Sequence, residues 1–422
     1  MPISFLNKDN NYFKIIFFTI YYLFFITAFY INEDSTGGAY HDYTGYRKLI
    51  DLFINDFKGT LLSFDQYGER HSPITIILLS QFYKTGLSDE TIRFIFFNSS
   101  IISVIFFYKC LKIKFNNTNT NYLFLISLVF FLSPVVRSLS VWPDSRIIGF
   151  LFFIISVYFY LKYFYFEKKI HYCYFNLFFL AIASYFSINF CLFGIYFFYK
   201  FFNELLKIKK ILNYFFIVLI LAFPAFYYLF ILDVFFINPG LTPGNDINSF
   251  GIRNNFNFSN KILIISSLIF FYLLPFILYF KKFFLLKDLS PKEILLLIIF
   301  SLINIYLFNY QIEFTGGGIF FKVSNFLLNN NVLFFCVSLY AIIFIYFIFG
   351  LNKNINNFII LFVLLLSNPQ LSIYHKYYDP LLIFLFFTIF EINIKKDYFN
   401  YKNILMLNFF SISFLLMNFL KQ

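Results

Sequence analysis

The sequence predicts an all-α fold: a polytopic transmembrane helical bundle of about 11–13 spans, with a long first outer loop carrying juxtamembrane helices. Three observations predict it. Of the 422 residues, 60% are hydrophobic and only 13% charged, at a mean hydropathy of +0.74, which excludes a soluble globular protein. The apolar residues gather in runs of the roughly 20 residues that a helix needs to cross a bilayer. The basic residues collect in alternate short connections, and most acids collect in the others.

In order along the chain, spans are expected near 13–31, 92–108, 121–138, 147–164, 211–232, 262–280, 294–310, 331–350, 355–367, 380–394 and 402–420. The run 172–200 is too long for one span and carries Ser184, Ser187 and Asn189 near its middle, so it predicts a short helical hairpin. Pro73 to Tyr83 is apolar but short, which suits an interfacial or re-entrant helix. The first run has no small-residue cleavage site and reads as a signal anchor. The whole chain, 1–422, reads as one integral membrane domain with no internal repeat.

Charge orients the bundle. With the N-terminus inside, Lys109–Lys114, Lys162–Lys169, Lys200–Lys210, Lys281–Lys292 and Lys395–Lys402 all face the cytoplasm. The net charge of +12 is then topological, and no nucleic-acid partner is expected. Cys110, Cys173, Cys191 and Cys336 lie in or beside apolar runs without CxxC spacing, so neither a disulfide framework nor a metal site is expected. With 74 Phe and 34 Tyr, aromatic usage is a compositional bias, and single aromatics carry little weight.

The reactive side chains fall on the outer face. The first outer loop, 32–73, holds Glu33, Asp34, His41, Asp42, Arg70 and His71. Further outer loops span 233–260, 311–331 and 367–380. The adjacent carboxylates Glu33 and Asp34 leave the first span together. Partial burial and a like-charged neighbour would fit one of them to act as a general base, and a solvated helix end is the plain alternative. Asp42, beside His41, is a second candidate. Arg70 and His71 precede an apolar helix and suit a phosphate, or else anchor the interface. Arg93 follows the capping pattern Ser88-Asp89-Glu90 and reads as structural.

Arg137, Trp142, Asp144 and Arg146 line a tight outer turn. Arginine at both ends could grip a phosphate or pyrophosphate. For Arg146, an ion pair with Asp144 closing the hairpin is the favoured reading. Late in the chain, His375, Lys376 and Asp379 share one membrane boundary, which is costly unless they are used. Motifs of soluble catalysis are absent: there is no GxSxG, P-loop, HExxH or dinucleotide fingerprint.

The order of a first span, acids at its outer end, a long outer loop and then HSPITIILLSQFYKTGLSDETIRFIFFNSSIISVIFFYKCLK resembles the H-P-L … G-x-s … R segment of GT-C superfamily membrane glycosyltransferases. The nearest likeness is to the branch of dolichyl-phosphate-mannose protein mannosyltransferases and the bacterial lipid A aminoarabinose and lipopolysaccharide core transferases. It covers roughly residues 20–165. The resemblance implies inverting transfer of a sugar from a polyprenyl-phosphate donor to a glycan, lipid or protein acceptor at the outer face of a bacterial inner membrane. It implies a first-loop acid as base, here Glu33, Asp34 or Asp42. Cations would hold the leaving phosphate, with Arg70, His71, Arg137 and Lys376 as candidates, and His41, Trp142, His375 and Asp379 lie in the same outer segments. The usual Asp-Glu order is reversed here, which leaves the choice of base open. An O-antigen-type polymerase would place its largest outer loop late, whereas here the largest comes first. A transporter or flippase would place charges inside spans and show paired repeats.

Overall fold

The computed structural model describes residues 11–36, 38–69, 71–236, 257–280, 290–311, 316–368, 372–392, 394 and 398–419. Every element in them is helical. Six helices are long and apolar enough to cross a membrane, and a bent pair makes a seventh candidate; five shorter helices of 10–17 residues are also apolar. This is the architecture of a multi-pass membrane protein. The chain divides into two compact units, residues 1–245 with 399–422, and residues 246–398.

The first unit opens with α1 (Asn11–Tyr30) and continues through α2 (Ala39–Asn55), α3 (Phe57–Leu62), α4 (Ile74–Lys84) and α5 (Asp89–Lys114). Then come α6 (Thr120–Leu128), a 3₁₀ turn (Val129–Leu132), α7 (Pro134–Val141), α8 (Ser145–Tyr165), α9 (Ile170–Phe186), α10 (Phe193–Lys207) and α11 (Ile211–Phe226). Helix α8 is its core, packed between α5 and α9. Apolar packing drives little association in lipid, so polar side chains fix the contacts. Asn176 and Ser156 exchange hydrogen bonds with each other's backbone carbonyl at 3.0 and 2.8 Å, joining α8 to α9. On α1, the Tyr22 hydroxyl donates to Asn98 of α5 at 2.8 Å. The Tyr21 hydroxyl donates at 2.6 Å to Asn408 of the last helix, α19 (Tyr401–Phe419; α12 to α18 lie in the second unit).

The run expected as one span near 121–138 is bent by 57° between α6 and α7. Pro134 is the cause. It forces Ser133 into extended backbone, and the Ser133 hydroxyl then caps α7 by accepting the Val136 amide at 3.1 Å. The run 172–200 is two helices, α9 and α10, joined through a 3₁₀ turn at Ile188–Phe190, so the break falls at the polar residues Ser187 and Asn189. Pro73–Tyr83 corresponds to the short helix α4. In α11, Pro224 lacks an amide hydrogen, and the helix widens into a π turn at Tyr227–Ile231.

The second unit comprises α12 (Phe258–Leu273), a 3₁₀ turn (Leu274–Phe276), α13 (Ile277–Phe280), α14 (Pro291–Tyr306), α15 (Gly318–Leu328), α16 (Val332–Ile348), α17 (Ile355–Leu366) and α18 (Leu381–Phe387). Its centre is α12, which packs against α14 to α18. Helix α14 starts on a capping box of Ser290 and Glu293. Gly316, Gly317 and Gly318 all hold positive φ, and the Gly317 amide donates to the Ile373 carbonyl at 3.0 Å. A Cβ at Gly316 would lie 2.4 Å from that carbonyl oxygen, so the glycine run exists to let two loops close on each other. The span expected over 380–394 is helical only from Leu381 to Phe387, and just beyond it the Thr388 hydroxyl donates to the Phe384 carbonyl.

Candidate functional site

The segment that follows α1 is held by its acids. Glu33 is 2% exposed and Arg137 is 1% exposed. Glu33 Oε2 accepts from Arg137 Nε and Nη2, both at 2.8 Å, while Glu33 Oε1 accepts from the Ser35 hydroxyl at 2.7 Å. The remaining Arg137 donors reach the Phe24 carbonyl at 2.8 Å and the Thr27 hydroxyl at 3.2 Å, both near the C-terminal end of α1. Burial pushes the Glu33 carboxyl above its ordinary range, and the Arg137 charge with the Ser35 and Arg137 hydrogen bonds opposes it. The two residues expected to serve as base and phosphate cation are thus bonded to each other, tying α7 to the end of α1.

Asp34 caps α2. Its Oδ1 accepts the Ala39 amide at 2.9 Å, and its Oδ2 accepts the Gly38 and Tyr40 amides at 3.1 and 3.3 Å. The Ser138 hydroxyl of α7 donates to Asp34 Oδ1 at 3.1 Å. That direction leaves Thr36 to donate to Ser138 across 2.9 Å. Gly38 lies at φ +120°, where a side chain would be strained. Four donors converge on the Asp34 carboxylate, the pattern of a structural cap.

Helix α2 lies against α4. Asp89, at the start of α5, accepts the Tyr43 hydroxyl at 2.7 Å, the Tyr83 hydroxyl, and Arg47 Nη1 at 3.3 Å. Arg93 reaches the Val141 carbonyl at 3.0 Å and the Asn32 side chain at 2.6 Å, and lies 3.8 Å over the Trp142 ring. Arg93 is structural, as its capping context predicts. Trp142 packs edge-on to Tyr40 at 4.7 Å and tilted to Tyr43 at 6.0 Å, so it supports the N-terminal end of α2.

A second group of charges gathers along the inner side of α2. Asp144 and Arg146 at the α7–α8 turn are buried, and His71 and Glu69 before α4 are partly buried. The Arg146 amide donates to Asp144 Oδ1 at 2.7 Å, and the two side chains lie 3.8 Å apart, the pair expected from the sequence. His71 Nδ1 meets Glu69 Oε1 at 2.6 Å, and His71 Nε2 meets Arg146 Nη2 at 3.2 Å. An arginine only donates, so Nε2 is the acceptor and Nδ1 carries the hydrogen given to Glu69. Tyr46 stands edge-on to His71 at 6.2 Å. Burial, then the charges of Asp144, Glu69 and Asp42, push the Tyr46 phenol well above its ordinary value, and Arg146 opposes them. Tyr46 therefore remains a donor at neutral pH. Its oxygen, the Ser145 hydroxyl and the Trp142 indole nitrogen are buried without a hydrogen-bond partner among the described residues.

Asp42 lies one helical turn before Tyr46 on this side of α2 and is partly buried, whereas His41 is exposed. Arg70 lies outside the described residues. The candidates His375, Lys376 and Asp379 belong to the second unit. There His375 Nε2 meets the Tyr272 hydroxyl, which also hydrogen-bonds Asp379, and Lys376 lies 5.3 Å over the Tyr374 ring. Among the described residues no group of three or more His, Cys, Asp and Glu could hold a metal ion. Sequence reasoning left out Tyr46 and gave no role to Glu69. The spacing Asp42–Tyr46, one turn apart, and Glu69–His71, two apart, was the available signal. Comparison with protein-family models, with curated proteins and with solved structures finds no match for this chain.

Proposed function

We propose that this protein is a membrane glycosyltransferase that moves a sugar from a polyprenyl-phosphate donor to a hydroxyl acceptor at the outer face of a bacterial inner membrane, with its N-terminus cytoplasmic. The observation that carries the proposal is the contact of Arg146 with His71 beneath the Asp42-bearing side of α2. It brings a cation for a phosphate from the α7–α8 turn to the side of α2 that bears a carboxylate, and displacement at a sugar phosphate needs both.

Glu33 and Asp34 serve Arg137 and the cap of α2, and we assign the acceptor proton to Asp42, one turn before Tyr46 on the side of α2 where Asp144 and Arg146 lie. The acceptor oxygen attacks C1 of the sugar as its proton passes to Asp42. The C1–O bond breaks, and its electron pair stays on the lipid phosphate, held by Arg146 and His71. Attack opposite the leaving phosphate inverts the anomeric centre.

The test is incubation of the purified protein with a panel of polyprenyl-phosphate sugars, following release of polyprenyl phosphate and the anomer of the product. Release with inversion is expected. No release with any common sugar returns the chain to the polymerase or transporter classes.

A further inference from the structure

We infer that Tyr46 is a sugar-binding residue: its hydroxyl donates a hydrogen bond to a ring hydroxyl of the donor sugar, with the Ser145 hydroxyl as a second contact. This deepens the proposed function, on which it rests for the presence of a sugar, and names what holds that sugar.

The argument starts from two buried hydroxyls with nothing to bond. Tyr46 is 1% exposed and Ser145 0%, and neither hydroxyl has a hydrogen-bond partner among the described residues. Folded proteins seldom leave a buried hydroxyl unpaired, because water satisfies it in the unfolded chain. Tyr43, the preceding tyrosine of the same helix, shows the contrast: its hydroxyl donates to Asp89 at 2.7 Å. Phenylalanine at position 46 would bury the same ring without the unpaired oxygen. The hydroxyl is explained by a partner that arrives with a ligand.

Position ties both hydroxyls to the proposed site. The Tyr46 ring stands edge-on to His71 at 6.2 Å, and the charges that act on its phenol are those of Asp144, Glu69, Arg146 and Asp42. Ser145 lies between Asp144 and Arg146 in the chain. Arg146 and His71 meet at 3.2 Å, so a donor phosphate held between them moves the imidazole that stands against Tyr46 and uncovers the phenol. The surroundings then select the chemistry. The charges on the phenol, Arg146 apart, are carboxylates, which keep it protonated and a donor. Beside carboxylates, a neutral hydroxyl is the fitting partner: its oxygen accepts from Tyr46, and its own hydrogen points to a carboxylate oxygen. A sugar carries such hydroxyls next to its phosphate, and a prenyl chain carries none.

The test compares prenyl phosphodiesters of equal charge. One set is farnesyl phosphate carrying glucose, galactose, mannose or N-acetylglucosamine; the other is methyl farnesyl phosphate, which has no sugar. Calorimetric titration of the full chain in detergent gives each affinity, and the thermal unfolding midpoint is measured beside it. The wild type should bind at least one of the sugars more tightly than the methyl ester. Tyr46→Phe should bind that sugar about tenfold more weakly, the scale of one hydrogen bond, and the methyl ester equally well. Its unfolding midpoint should match or exceed that of the wild type, since the lost hydroxyl bonds nothing in the free protein. Ser145→Ala should weaken the same sugar by a smaller factor. A lowered midpoint in Tyr46→Phe, equal weakening of both ligands, unchanged sugar affinity, or no sugar preference in the wild type overturns the inference. Sugar transfer is a separate readout. A sugar preference that depends on Tyr46, without turnover, leaves this contact standing and removes the glycosyltransferase reading; turnover with sugar affinity unchanged in Tyr46→Phe does the reverse.

Discussion

Arg137 and Glu33 form a fully buried ion pair at 2.8 Å that joins α7 to the C-terminal end of α1. Removing one partner leaves the other charge stranded, which costs about 3–5 kcal/mol, whereas replacing both with apolar residues of similar volume is often nearly neutral. Arg137→Met and Glu33→Leu should each lower the thermal unfolding midpoint in detergent sharply. The double variant should lose less than either single one, which a double-mutant cycle of unfolding midpoints checks.

The cap on α2 separates shape from charge. Asparagine keeps one of the two acceptor oxygens that take the four donors and turns an NH2 toward the others. Asp34→Asn should therefore lose part of the stability that Asp34→Ala loses, while the folded protein keeps transfer activity. Thermal unfolding beside an activity assay on folded protein reads both. Loss of activity in folded Asp34→Asn would make Asp34, and not Asp42, the proton acceptor.

Asp89 is the point where α2, α4 and α5 meet, with Tyr43, Tyr83 and Arg47 all donating to it. Hydrogen bonds to a charged group contribute about 1.5–3 kcal/mol each. Asp89→Ala should raise amide exchange across α2 by tenfold or more and leave α8 unchanged. Hydrogen-exchange mass spectrometry resolves the two helices.

Arg146→Lys keeps the charge but loses the planar fork that grips a phosphate. It should raise the donor KM by about tenfold with a smaller change in kcat. Steady-state kinetics on the donor separates the two constants.

How far the sequence led depends on the range of the interaction. The helical fold was legible because hydrophobic runs and charge segregation act locally along the chain. The break within 172–200 was legible from its own polar interruption at Ser187 and Asn189. The 57° break at Pro134 was present in the sequence as a proline, but a proline inside an apolar run permits a continuous kinked span as readily as a break. The Asp144–Arg146 pair was legible because its residues are neighbours. The Glu33–Arg137 and His71–Arg146 partnerships join residues far apart in the chain, and no periodicity encodes them. Among the acids after the first span, the sequence proposed several candidates for use, and the hydrogen bonds mark Asp34 as the cap of α2.

The most direct measurement is single-turnover release of polyprenyl phosphate from a polyprenyl-phosphate sugar by wild type, Asp34→Asn and Asp42→Asn, at equal amounts of folded protein. The account predicts release by wild type and Asp34→Asn, with the rate of Asp42→Asn down by at least about 10²-fold, the usual scale of a lost general base. Equal release by Asp42→Asn, or none by the wild type with any common sugar, contradicts it.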